Sequence, residues 1–329
     1  MKKNIAVIAG GYSSEYEVSL RSAETVSAAM DPERYNVYRV TLEKDAWTAT
    51  LPDGTTAPVN RNDFSFPCGG EAVTVDCAYI TVHGTPGEDG RLQGYLDMLR
   101  IPYRSCGVLA SALTFNKFVC NRFLYSQGIS VATAMRLQRG ERYTVKAIVA
   151  RLGGLPVFVK PNSSGSSFGI SKVTDAAQMP AAIGKAFAEG DEVIIERFIP
   201  GREVTCGCYR VKGDIVTLPL TEVVTANEFF DYGAKYGGES QEITPAPLSG
   251  ELTGRIRQVT ANIYELIGAR GLIRADYILH PGGAPGDGEP VLLEVNTTPG
   301  MTAASFIPQQ IRAAGSGLRE VLTDIIENG

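Results

Sequence analysis

The chain has 329 residues, with 31 Lys plus Arg against 36 Asp plus Glu, and its net charge of −5 excludes the broad basic footprint of a nucleic-acid binder. Its 44% apolar and 20% charged residues are those of an ordinary globular protein, with about one domain per ~150 residues. No apolar run reaches the ~18–20 residues of a membrane span, so no membrane partner is expected. The short apolar stretch after Met1-Lys2-Lys3-Asn4 is too brief for a signal peptide. The six cysteines (68, 77, 106, 120, 206 and 208) and two histidines lack zinc-site spacing, so reduced thiols and a cytoplasmic location are expected.

In chain order, Ile5–Ala9 predicts a buried strand, Gly10-Gly11 a tight turn, and Ser14-x-x-Glu17 a capping box opening a helix. Val18, Ala23, Val26 and Met30 mark the apolar face of that helix until Asp31-Pro32. Tyr35–Leu42 and Ala78–Val82 read as further strands, and Leu92, Leu96 and Leu99 lie on one helix face. Strands alternating with helices imply a parallel sheet with ligands at the strands' carboxyl ends, where Gly10-Gly11 and His83-Gly84 fall. Asp45–Glu71, punctuated by Pro, Gly and Asn, reads as an irregular insertion, and Val108–Ser126 as one helix. From Pro156 the pattern becomes strand–turn–strand: Pro156–Lys160, Ile170–Val173, Glu192–Phe198, Glu203–Val211 and Ile215–Val223. Thr225–Pro247 has no clear period and reads as a functional lid or a disordered stretch. Ser249–Ile267 is a helix with Leu252, Ile256, Val259, Ile263 and Leu266 inward. Strands Leu272–Leu279 and Val291–Val295 and two short helices complete the chain.

The closing strands carry the chemistry. Side chains alternate across a strand, so Arg274 shares a face with Asp276, and Glu294 with Asn296. A hairpin pairing them gathers two carboxylates, a carboxamide and a guanidinium, a hard-oxygen set suited to Mg²⁺ or Mn²⁺ arriving with phosphates. Lys160 followed by a Gly/Ser loop is a second anion signal, though no Walker loop occurs. Gly165-Ser166-Ser167-Phe168-Gly169 also matches a hydrolase nucleophile elbow, but that elbow needs a following helix, and Ile170–Val173 reads as strand. A dinucleotide site at Gly10-Gly11 lacks G-x-G-x-x-G.

Six stretches occur in order: Gly10 to Ser19, His83 to Gly90, Lys160-Pro161 through Val173, Asp231 to Tyr236, Arg274-Ala275-Asp276, and Glu294 to Thr302. Together they closely resemble the D-alanine–D-alanine ligases of the ATP-grasp superfamily, over nearly the whole chain. The resemblance implies an α/β fold, α+β in its C-terminal two thirds: an ATP-grasp fold behind a Rossmann-like parallel-sheet domain. The expected parts are 1–112, a central 113–205, and 206–329 with a lid at about 225–247. It also implies ATP, two Mg²⁺ (or Mn²⁺), D-alanine as substrate, and a homodimer.

By the same resemblance, Asp276, Glu294 and Asn296 hold the metal ions and Arg274 stabilises the transferred phosphoryl group. Lys117, Lys160 and Lys235 meet ATP phosphates, Ser167 also belongs to the ATP site, and Glu196, Phe198 and Glu203 take adenine and ribose. Glu15 pairs with the first D-alanine's ammonium, with His83 near its carboxylate. Ser305 binds the second carboxylate beside Phe306, and Gly300 offers a backbone N–H. Ser166 and Tyr236 link to Glu15 and hold the lid shut, and Tyr236 points to an amine acceptor over D-lactate. Asn116 stands where the family commonly has aspartate and Phe306 where leucine is usual. Residues 45–71 carry no family motif.

Overall fold

A computed structural model of the chain describes residues 2–163, 169–225, 240–281 and 288–328. The first apolar run forms β1 (Lys3–Gly10), whose last six residues are buried, as suits a strand covered on both faces. Each buried Ile or Val there contributes about 1.5–3 kcal/mol. β1 pairs in parallel with β2 (Tyr35–Leu42). The expectation of an irregular insertion over 45–71 is overturned. β3 (Trp47–Thr50) and β4 (Thr56–Pro58) extend the sheet antiparallel to β2, and β5 (Phe66–Cys68) and β6 (Glu71–Val73) form a hairpin. Strands this short show too little alternation to read from sequence, yet Ala49, Ala57, Phe64 and Phe66 are buried. β7 (Cys77–Ile80) joins β1 in parallel and completes the order β4-β3-β2-β1-β7.

Helix α1 (Tyr16–Ala29) starts without the expected capping box: its N-cap is Glu15, with no side-chain cap bond. Ser13 takes over this corner. Its hydroxyl accepts from the Glu15 N–H at 3.3 Å and donates to the His83 carbonyl at 2.8 Å, tying the two loops at the sheet's carboxyl end. Ser19 bridges the same elements, accepting from the Gly10 N–H at 2.9 Å and donating to the Thr81 carbonyl at 2.8 Å. Gly10 is required here: φ is +88°, and a Cβ would lie 2.5 Å from the Leu42 carbonyl oxygen. Val18, expected in the core, is half-buried and faces a cavity instead.

After α2 (Arg91–Met98), the expected single helix over 108–126 is two helices, α3 (Val108–Phe115) and α4 (Lys117–Ser126). Asn116 breaks them. Its backbone is extended (ψ 94°), and its side chain accepts from the Val119 N–H at 3.0 Å as the N-cap of α4. The break places Lys117 at the first position of α4.

β8 (Ala134–Gln138), α5 (Val145–Leu152), β9 (Val157–Pro161), β10 (Ser171–Val173), α6 (Met179–Phe187) and β11 (Glu192–Arg197) follow. They build an antiparallel sheet, β10-β9-β11-β8, on a core of Ile148, Leu152, Val159, Ile183 and Ile195. The second antiparallel sheet centres on β12 (Arg202–Val211). The strand expected over 215–223 is interrupted at Leu218-Pro219-Leu220, giving β13 (Asp214–Thr217) and β14 (Thr221–Thr225), both paired with β12. Within the expected lid, β15 (Ser240–Ile243) pairs with β14. Helix α7 (Gly250–Leu266) is capped by Ser249, which accepts from the Leu252 N–H at 3.2 Å. It buries Leu252, Ile256 and Ile263 as expected, with Val259 and Leu266 at the margin of that core. β16 (Leu272–His280) and β17 (Glu289–Asn296) finish the sheet, followed by α8 (Phe306–Ala313) and α9 (Leu318–Asn328). Ile307, Ile311, Leu322 and Ile325 of these helices share one core with Ile5 and Val7 of β1, which brings the two ends of the chain together.

Candidate active site

The register of β16 and β17 sets Arg274 opposite Asn296 and Asp276 opposite Glu294, so all four project from one face as alternation predicts. The Arg274 guanidinium donates twice to Asp276, from Nε to Oδ1 at 2.8 Å and from a terminal nitrogen to Oδ2 at 2.7 Å. Both side chains are buried. Burial works against the charged guanidinium, but the Asp276 carboxylate, with Glu294 and Glu203, raises its pKa above the usual arginine value. Asn296 donates to Asp276 at 3.1 Å and to Glu294 at 3.4 Å.

Lys117 reaches this group from the start of α4, its ammonium 3.2 Å from Glu294. Burial disfavours that charge, yet Glu294, with Glu88 and Glu196, lifts the lysine pKa above its ordinary value. Lys160, the penultimate residue of β9, pairs with Glu196 of β11 at 2.7 Å, and Asn121 of α4 donates to Glu196 at 2.8 Å. Phe158 and Phe198 lie 5.8 Å apart between ring centres, with the Lys160 and Lys172 ammoniums over them at 5.4 and 4.6 Å. Glu203 stands two residues from Thr205 on β12, on the sheet face that carries Asp276.

A cavity of about 290 Å³ opens beside the quartet. Arg274, Glu294 and Asn296 line it, together with Glu15 and His83 from the N-terminal loops and Gly300, Ser305 and Phe306 from the segment entering α8. Glu15 and His83 are both buried. The Ser305 hydroxyl lies 2.8 Å from that of Thr302, and the Arg274 guanidinium sits over the Phe306 ring at 5.3 Å. Ser166, Ser167, Lys235 and Tyr236 lie outside the described residues. The remaining expected residues fall into two neighbourhoods: the cavity with its quartet, and the Lys160–Glu196–Phe198 region. Lys117 carries the charge of one toward the other.

Glu88 lies within the His83-to-Gly90 stretch, to which only His83 brings an expected role. It lines the cavity, buried, and accepts the Gly84 N–H at 2.7 Å. Burial first, and then the Glu15 charge, push its pKa up to about 8 against the opposing pull of Gly84 and Lys117. Only the acidic residue after His83-Gly84 signalled it. Thr114, Arg21 and Glu242 also line the cavity without having been anticipated.

Among the described residues, no three His, Cys, Asp or Glu side chains group to hold a metal ion. The quartet supplies two carboxylates and one carboxamide oxygen. That donor chemistry fits a hard divalent cation that completes its shell with phosphate and water. The cysteines are free thiols, and among the described residues no helix is long and apolar enough to cross a membrane.

Two antiparallel sheets, the buried Lys117 and Lys160 with their facing acids, and the Arg274–Asp276 ion pair are the arrangement of an ATP-grasp ligase, the class to which solved structures similar to this chain belong. Residues 4–106 match the family described as D-ala D-ala ligase N-terminus, and residues 123–327 match its C-terminus. The chain is 58% identical to the D-alanine–D-alanine ligase of Parabacteroides distasonis over 328 residues, covering 100% of this chain and 98% of that one. Among solved structures, the VanG D-Ala:D-Ser ligase from Enterococcus faecalis superposes with a TM-score of 0.87 at 31% identity, covering 99% of each chain. The D-alanine–D-alanine ligase from Bacillus anthracis complexed with ATP does so with 0.78 at 28% identity, covering 99% of this chain and 97% of that one. The chain belongs to the D-alanine–D-alanine ligase family.

Proposed function

We propose that the protein joins two D-alanines at the expense of ATP, making D-alanyl-D-alanine for peptidoglycan precursors. The observation that carries this reading is the Arg274–Asp276–Glu294–Asn296 face opening onto the cavity that Glu15, His83 and Ser305 also line. The γ-phosphoryl group passes to the carboxylate of the first D-alanine, giving an acyl phosphate and ADP. The free amine of the second then attacks the acyl carbon, loses a proton, and the tetrahedral adduct collapses with release of phosphate. Phosphoryl transfer asks chiefly for positioning and charge neutralisation, which buried cations supply.

Arg274 is assigned to the transferred phosphoryl oxygens and the developing oxyanion, and its double hydrogen bond to Asp276 supports that role by holding its plane. Lys117 and Lys160 are assigned to the nucleotide's phosphates, Glu196 and Glu203 to adenine and ribose contacts, and Phe198 to the adenine slot. Glu15 takes the first substrate's ammonium, with His83 at its carboxylate. Ser305 and Phe306 form the acceptor subsite, and the Gly300 N–H serves the adduct. Asp276, Glu294 and Asn296 are the residues to hold two Mg²⁺ (or Mn²⁺) ions, which when bound neutralise charge on the phosphates. By family resemblance alone, Lys235 is assigned to the γ-phosphate, Ser167 to the ATP site, and Ser166 and Tyr236 to a link with Glu15 that excludes water. The same resemblance supports a cytoplasmic homodimer divided as 1–112, 113–205 and 206–329.

The test is phosphate release from MgATP with D-alanine, L-alanine or D-lactate, the product identified by mass. D-Ala-D-Ala formed in equal amount with ADP, and nothing from L-alanine, is the expected result. Absence of D-alanine-dependent turnover would overturn the reading.

A further inference from the structure

Along one edge of β12 the ladder is interrupted. β13 pairs up to Cys208 and β14 from Thr205, so Leu218-Pro219-Leu220 stands opposite Cys206 and Gly207. Pro219 has no N–H to give. The Gly207 N–H and the Thr205 carbonyl face this break, and the side-chain amide of Gln310 meets both. Gly207 donates to Gln310 Oε1 at 2.9 Å, and Gln310 Nε2 donates to the Thr205 carbonyl at 3.0 Å. Nε2 also donates to Thr221 Oγ1 at 3.2 Å. The Leu218 N–H still reaches the Gly207 carbonyl at 2.8 Å, and the Gln310 amide supplies the acceptor for Gly207 and a donor for Thr205 beside it. Gln310 is fully buried, and α8 lies directly on Gly207: a Cβ there would be 2.6 Å from Ile307 Cδ1 and 2.7 Å from Gln310 Oε1.

The opposite edge of β12 carries β16, with Gly207 paired to Arg274 and Thr205 to Asp276. Helix α8 opens at Ser305 and Phe306, both on the cavity wall, with Phe306 against the Arg274 guanidinium. The same two residues of β12 therefore locate both halves of the site. We propose that Gln310 is a positioning residue that fixes the distance between the acceptor subsite at Ser305–Phe306 and the Arg274–Asp276 pair. It touches no substrate. This rests on the assignment of Ser305 to the second D-alanine.

The experiment compares the full-length enzyme with Gln310→Met, which has similar length but removes the acceptor of the Gly207 N–H and a donor to the Thr205 carbonyl. Two readouts separate the subsites: the first and second KM for D-alanine, resolved from the rate curve, and ¹⁸O scrambling in ATP, which follows phosphoryl transfer to the first D-alanine. The second KM should rise on the order of tenfold or more, since ångström-scale misplacement has effects of that size. The first KM, the KM for ATP and the scrambling rate should stay within about twofold. Thr221→Val removes the third hydrogen bond and the Thr221–Thr244 hydroxyl contact but keeps both bonds from Gln310 to β12, and should leave the second KM within about twofold. If the methionine variant does not fold, Gln310→Glu should give the same split, because it keeps an oxygen for Gly207 but lacks a donor for Thr205. An unchanged second KM, or an equal loss in all parameters, overturns the proposal. Ser305→Ala checks the underlying assignment: an unchanged second KM there removes that assignment and the proposal with it. A raised second KM for Ser305→Ala beside an unchanged one for Gln310→Met removes the proposal alone.

Discussion

Replacing Arg274 by methionine separates what its ion pair does for stability from what it does for catalysis. The change deletes two charge-assisted hydrogen bonds, at 2.8 and 2.7 Å, and leaves the buried Asp276 carboxylate with the Asn296 amide at 3.1 Å. Removing one partner of a buried pair costs about 3–5 kcal/mol, because the remaining charge is desolvated without compensation. Against a total stability of about 5–15 kcal/mol, that loss is plain in urea unfolding. The double variant Arg274→Met/Asp276→Asn removes the orphaned charge as well. It should be more stable than the sum of the single changes by about 2 kcal/mol or more. Activity should not follow that recovery: kcat should fall about 10²–10³-fold in Arg274→Met and remain low in the double variant. A methionine variant that unfolds at the wild-type urea concentration would refute the stability argument. A kcat within about threefold of wild type would refute the catalytic one.

Glu88 holds its proton to about pH 8 in the folded protein, against an ordinary 4.5. Between those values the folded state binds more protons than the unfolded chain, so stability falls as pH rises through this window. Glu88→Gln should flatten that slope in unfolding curves taken from pH 5 to 8, and an unchanged slope would show that another group is responsible. Asn116→Ala removes the cap of α4 and should cost ~1 kcal/mol in thermal unfolding, with a rise in the KM for ATP as Lys117 loosens. Equal ATP affinity in calorimetry would show that the break does not position the lysine. Lys160→Met should weaken ATP binding far more than it alters the KM for D-alanine, and the reverse pattern would move Lys160 out of the nucleotide site. Chelation of divalent cations should abolish turnover and added Mg²⁺ or Mn²⁺ restore it, as read by phosphate release. Turnover that persists in excess chelator would contradict the metal assignment of Asp276, Glu294 and Asn296.

Alternation along β16 and β17 is a local property of extended chain with a period of two. The shared face of Arg274, Asp276, Glu294 and Asn296 was therefore legible before any fold was known. Long apolar runs and strong helical periods were legible for the same reason, as in β1, β2 and α7. The break at Asn116 was not, because its cap replaces only one turn of a continuous apolar pattern, and the Leu218-Pro219-Leu220 interruption shows itself only as a change of register against β12. The strands within 47–73 were too short to display a period. Convergence belongs to tertiary structure alone. The Lys117–Glu294 contact, the Lys160–Glu196–Asn121 cluster, the proton on Glu88 and the seat of Gln310 on Gly207 all depend on elements distant in sequence. Sequence pattern sets which face each strand presents. Packing sets which charges meet there, how far they are desolvated, and hence what they can bind.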